Sequence, residues 1–113
     1  MSECVFCRIA AGEIPARIVR ADDEIVAFHD LAPVAPTHLL LIPRRHLSSL
    51  AAATSGDAEL LGRLVAAAAE IARELGFAED FRLVANSGAR AGQSVFHLHF
   101  HLLAGRGFNW PPG

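Results

Sequence analysis

The segment from Gln93 to Gly105, QSVFHLHFHLLAG, limits the fold more than any other part of the chain. His97, His99 and His101 alternate with Phe96, Leu98, Phe100 and Leu102. In an extended strand, period two puts the three imidazoles on one face and the four apolar side chains on the other. A helix would bring His97 and His101 together at i and i+4, a familiar metal pairing, but would scatter the apolar residues around it. The pattern therefore predicts a strand, spanning Phe96 to Leu103, in a sheet covered on its apolar face and working on its histidine face. Same-face residues lie about 6.6 Å apart along a strand, close enough for neighbouring imidazoles to share a small anion or a hydrogen-bond relay. Packing alone explains three such rings poorly, because each costs desolvation unless it is paired.

The cover for the apolar face is legible further upstream. Leu60, Leu61, Leu64, Val65, Ala68, Ile71, Ala72 and Leu75 recur at helical spacing and predict a helix from Asp57 to Leu75. Asp57 is placed to cap it and Gly76 to stop it. A short helix is expected at Cys4 to Ala11, with Val5, Phe6 and Ile9 on one side and Gly12 at its end. Arg17 to Arg20 and Glu24 to His29 read as a hairpin around Ala21-Asp22-Asp23. His38 to Ile42, HLLLI, reads as a central strand ended by Pro43, and Arg82 to Ala85 as another strand. Ser48 is expected to cap a helical turn through Ala53. The sum is one α+β domain over residues 1–113, with five short strands and one long helix.

Composition narrows the function. A chain of 113 residues that is 52% hydrophobic supports one core. A net charge of -2 gives no electrostatic footprint for a nucleic-acid polymer, while a small nucleotide needs only a few local donors. Cys4 and Cys7 are too close in sequence to staple a domain, so a reducing compartment is expected. No run of 18 apolar residues and no signal-like N-terminus occur, so no membrane partner and a cytoplasmic location are expected. The loop Gly88 to Ser94 is rich in backbone donors for phosphate oxygens, but the GxxxxGK pattern is missing. An imidazole beside it suits nucleophilic or acid–base chemistry.

The pattern HLHFH, completed by Leu102 and Leu103, resembles the histidine triad motif, in which three histidines alternate with apolar residues. Together with Ile14-Pro15-Ala16, Phe28-His29-Asp30, Ala35-Pro36-Thr37-His38, Ile42-Pro43, His46, Asn86-Ser87-Gly88, Gly92-Gln93-Ser94 and Trp110-Pro111-Pro112-Gly113, it resembles the histidine triad (HIT) superfamily in its Hint branch. The resemblance implies a homodimer with a sheet extended across the two copies. It also implies hydrolysis of purine nucleoside 5'-phosphoramidates to AMP or GMP and an amine. His99 matches the nucleophile that attacks the α-phosphorus. His38 and His101 match the histidines around the phosphate, His97 the first of the triad, and Ser94 the hydroxyl that helps the leaving amine. Asp30 matches the carboxylate for the ribose hydroxyls. Phe6, Phe28, His29 and Leu31 match the purine and ribose pocket, and Asn86, Gly92 and Gln93 the phosphate side. Trp110, in the tail 104–113, is expected near the partner's active site. Two other functions stay open: a nucleotide-binding regulator with incidental hydrolysis, and a dinucleoside polyphosphate hydrolase. No catalytic cofactor is expected. Cys4 and Cys7 with His46 and His97 resemble a structural zinc set, with a redox pair or two inert thiols as alternatives.

Overall fold

The computed structural model describes residues 3–113. Strands β1 (Ile18–Ala21), β2 (Ile25–His29), β3 (Thr37–Pro43), β4 (Phe81–Val84) and β5 (Phe100–Ala104) form one antiparallel sheet in the order β1-β2-β3-β5-β4. A short helix, α1 (Val5–Ala10), and a long helix, α2 (Ala58–Glu74), complete the α+β fold expected from the sequence. Among the described residues, no helix is long and apolar enough to cross a membrane.

Both sheet faces are buried at the centre, which is why β3 is an almost unbroken apolar run. Ile25, Ala27, Leu39, Leu41, Leu98, Phe100 and Leu102 pack with Leu64, Ala67, Ala68, Ile71 and Ala72 of α2. Three of those helix residues are alanines, which lets the helix lie close to the sheet. On the opposite face, Val26, Phe28, Leu40 and Ile42 pack against Phe6 of α1. The sheet thus separates a sealed helix-covered side from a thinner side under α1.

The end of α2 follows the expected stop. Gly76, at φ +91°, closes it, with Gly76 N–H donating to the Arg73 carbonyl at 3.1 Å and Phe77 N–H to that of Ala72 at 2.7 Å. Its start differs from expectation. Asp57 makes no side-chain cap to α2; its carboxylate accepts from Thr54 N–H at 2.9 Å and from Arg45. Thr54 caps a preceding 3-10 turn, Ser55–Asp57, that leads into the helix. The expected helical turn after Ser48 is a 3-10 turn over Leu50–Ala52, flanked by Ser49 with no side-chain cap bond.

The last strand is shorter than the alternation suggests. Pairing with β3 begins at Phe100, opposite Leu41, so His97 and His99 precede the regular strand. The chain bends over residues 95–97, and Leu98 N–H donates to the Leu47 carbonyl at 2.6 Å instead of joining the ladder. Alternation holds from Leu98 onward. Phe96, expected on the covered face, is 53% exposed because the bend comes between it and the paired strand.

Candidate active site

Register builds the site. Phe28 lies opposite Leu40, and Leu40 opposite His101, so the three share the face beneath α1. His38 stands two residues before Leu40 on that same face. A cleft of about 350 Å³ opens there. Phe6, Phe28, Leu40, Ile9, Ile14 and Val95 make its walls mainly apolar, while Asp30, Ser94, His99 and His101 gather its polar groups. The Phe6 ring stands edge-on to Phe28 at 5.5 Å and to His99 at 5.1 Å. A mostly apolar slot with a few convergent polar groups suits a flat aromatic ligand that ends in a charged group.

Hydrogen bonds to backbone groups fix which imidazole nitrogen carries the proton. The His97 carbonyl lies 2.8 Å from His99 Nδ1 and can only accept. Neutral His99 therefore carries its proton on Nδ1 and keeps a lone pair on Nε2. Val34 N–H donates to His38 Nδ1 at 3.1 Å, so His38 bears its proton on Nε2. That proton is donated to His101 Nδ1 at 2.8 Å, which leaves His101 with an Nε2–H donor. The chain from Val34 through His38 to His101 runs in one direction, and the His99 and His101 rings stand 5.0 Å apart. A nucleophilic lone pair and a donor thus sit side by side in one cleft.

Burial favours the neutral form of His101 and of His38. It pulls His101 from the ordinary imidazole value of 6.5 to about 4, aided by the positive potential of His99 and His38 and opposed by Asp30. Burial also lowers His38, against the pull of Asp30, whose Oδ2 lies 3.4 Å from His38 Nε2. The Asp30 carboxylate is itself oriented, since its Oδ1 accepts from Ala32 N–H at 2.8 Å. Asp30, His38 and His101 lie close enough together to hold a metal ion. The protonation pattern opposes that use, because a metal on His38 Nε2 would force a proton onto Nδ1, facing the Val34 N–H.

A second cluster lies behind the first. Cys4, Cys7, His46 and His97 offer ligand atoms within 4.8 Å of one another. His97 donates from Nε2 to the Pro43 carbonyl at 2.7 Å, leaving the Nδ1 lone pair for the cluster. This Nδ1 lies 3.4 Å from Cys4 Sγ, 3.5 Å from Cys7 Sγ and 3.1 Å from His46 Nδ1. Cys7 Sγ lies 3.4 Å from His46 Nδ1. Zinc bound tetrahedrally at ordinary Zn–S and Zn–N lengths would set sulfur–nitrogen edges of about 3.6 Å and a nitrogen–nitrogen edge of about 3.3 Å. The four residues meet that test in donor type, lone-pair direction and spacing. Burial lowers His97 below the usual imidazole range, despite its bond to Pro43, which keeps it neutral as a ligand must be.

Comparison with known proteins agrees with this geometry. A family model described as "HIT domain" matches residues 11–108. The chain belongs to the HIT family. It is similar to an uncharacterized HIT-like protein of Synechocystis, at 53% identity over 98% of this chain and 97% of that protein. It is also similar to Adenylylsulfatase HINT1 of Arabidopsis thaliana, at 45% identity over 99% of this chain and 78% of that one. Among solved structures, a HIT family hydrolase from Legionella pneumophila superposes with a TM-score of 0.97 at 46% identity, over 98% of this chain and 100% of the other. The histidine cluster is of the HIT hydrolase kind and fits a hydrolytic mechanism.

Of the residues the HIT resemblance singles out, Phe6, Phe28, His29, Asp30, Leu31, Ser94, His99 and His101 line the cleft. Leu31 does so as a rim residue, 96% exposed. His38 and His97 stand one layer back, each holding a triad histidine. Gln93 is buried and ties the glycine loop together: its Oε1 accepts from Gly88 N–H at 2.8 Å, and its Nε2 donates to the Ser48 and Val95 carbonyls. Asn86 and Gly92 are neighbours in that loop, outside the cleft lining. Trp110 is 83% exposed and outside its own chain's cleft. Sequence reasoning assigned no role to Ile9, Leu40 or Val95 in the cleft, and none to the Val34 N–H and Pro43 carbonyl that fix the imidazoles. The apolar run Ile14-Pro15-Ala16 after Gly12 was the one local signal for a further wall.

Proposed function

We propose that this HIT protein is of the Hint branch and hydrolyses purine nucleoside 5'-phosphoramidates through a nucleotidyl intermediate on His99. The observation that carries the reading is the bare Nε2 of His99, fixed by the His97 carbonyl, beside the His101 donor at the end of an apolar cleft. The purine lies in the apolar cleft whose wall includes Phe6 and Phe28, and Asp30 accepts from the ribose hydroxyls. His99 Nε2 attacks the α-phosphorus. The P–N bond breaks, its electron pair leaves with the amine, and the amine takes up a proton from water relayed through the Ser94 hydroxyl. The His101 N–H meets the charge that grows on a phosphoryl oxygen. Water then attacks the phosphorus, releasing the nucleotide and restoring His99.

Cys4, Cys7, His46 and His97 would hold zinc as a structural cross-link between the start of α1 and the histidine segment. In the proposed assembly two copies pair along β4, an edge strand, and along the outward face of α2, where Val65 is 47% exposed beside Gly62 and Ala66. Trp110 then reaches the partner's leaving-group side. The relative named an adenylylsulfatase favours adenylyl sulfate as a second substrate, since the same attack at an adenylyl phosphorus serves both. Turnover on adenosine 5'-phosphoramidate, adenylyl sulfate and a dinucleoside polyphosphate tests the reading. Highest kcat/KM on the phosphoramidate is expected; exclusive cleavage of the dinucleoside substrate would reject it.

A further inference from the structure

The two cysteines of the metal-binding cluster bracket a residue of the cleft wall. In Cys4-Val5-Phe6-Cys7, Phe6 is 6% exposed and touches three rings: Phe28 at 5.5 Å, His97 at 6.0 Å and His99 at 5.1 Å. Val5 and Phe6 both line the cleft. A second connection runs through His97. Its ring nitrogen Nδ1 faces the two sulfurs, while its carbonyl holds Nδ1 of His99. The cluster therefore touches both the wall that would take the base and the ring that would attack phosphorus.

The segment carrying Phe6 is held first by packing, with Phe6 against Val26, Phe28, Leu40 and Ile42. The helix α1 is six residues long, too short to be stable alone. Its far end is anchored by Arg44, whose Nη1 donates to the Ala10 carbonyl at 2.5 Å and whose Nε donates to that of Asp22 at 2.6 Å. At its near end, Cys4 and Cys7 make polar contacts with each other and with His46 and His97. A metal ion there would fix four side chains at once, and with them the position of Phe6.

We propose that divalent metal binding by Cys4, Cys7, His46 and His97 is thermodynamically coupled to nucleotide binding in the cleft, through Phe6 and the His97 carbonyl. The metal is then an effector of the cleft as well as a cross-link. The inference rests on the nucleotide reading given above. Coupling of this kind is reciprocal: whatever factor the metal adds to nucleotide affinity, the nucleotide adds to metal affinity.

Calorimetric titration of AMP into zinc-loaded and chelator-stripped protein measures the first half, with circular dichroism following the fold. Stripped protein is expected to bind AMP at least about fivefold more weakly. Zinc affinity, measured by competition with a chromophoric chelator, should rise by the same factor when AMP saturates the protein. Cobalt(II) in place of zinc adds a spectroscopic readout, and its visible bands should shift on AMP addition. Phe6→Leu keeps all four metal donors and should bring the coupling factor towards one. Should stripping unfold the chain, the cobalt bands carry the test. Equal AMP affinity with and without metal in folded protein, cobalt bands indifferent to AMP, or no metal binding by the cluster would each overturn the coupling while leaving the nucleotide reading in place. Absence of AMP binding in every state would overturn both.

Discussion

His101 shows how three histidines come to act differently. Its Nδ1 accepts from His38, so its remaining proton faces the cleft, and burial holds it neutral down to about pH 4. Its pKa in the folded chain lies below that of the unfolded chain, so between about 6.5 and about 4 the unfolded state binds the extra proton. Stability should therefore fall as pH drops through that window. Urea denaturation at a series of pH values should show the slope, and His101→Gln should flatten part of it. His29, His38 and His97 are shifted in the same direction and add to the slope. Replacing His38 with alanine removes the donor to His101 and should lower kcat about tenfold or more, with a smaller change in KM, in steady-state assays. The sequence revealed the histidines themselves and their alternation. It did not reveal their protonation pattern, because Val34 N–H and the Pro43 and His97 carbonyls are backbone groups whose positions depend on the fold.

Glycines at element ends separate two kinds of constraint. Gly76 ends α2 at φ +91° with open space around its Cα, so Gly76→Ala should cost only the backbone strain, about 1 kcal/mol. Gly105 ends β5 at φ +97°, and a Cβ there would meet Pro36 Cβ at 2.9 Å. Gly105→Ala should cost about 2 kcal/mol or more, since strain and overlap add. Chemical denaturation of the two variants checks the order. Elements with strong periodicity, such as α2, were legible to within a residue or so at each end. The start of β5 was not, because the sequence shows alternation while pairing needs a partner. Residues 96–99 keep much of the pattern yet have no strand beside them.

At the scale of the whole molecule, the antiparallel sheet places β5, which carries His101, between β3 and β4, an order that no local pattern stated. The tail is fastened along this side: Arg82 donates to the Asn109 carbonyl at 2.9 Å, and the guanidinium groups of Arg82 and Arg106 both lie over the Phe108 ring. Trp110 is carried outward from that anchorage, which suits the proposed reach to a second copy. Light scattering at micromolar concentration should give the mass of a dimer, and Trp110→Ala should keep that mass while changing preference across a series of amine leaving groups. A fully active monomer would reject the assembly. The central claim is that two displacements at phosphorus pass through His99. The stereochemical course tests it most directly, using an adenosine 5'-phosphorothioamidate of defined configuration hydrolysed in isotopically labelled water. Two inversions predict overall retention at phosphorus; overall inversion would mean that water attacks directly and would contradict a covalent role for His99.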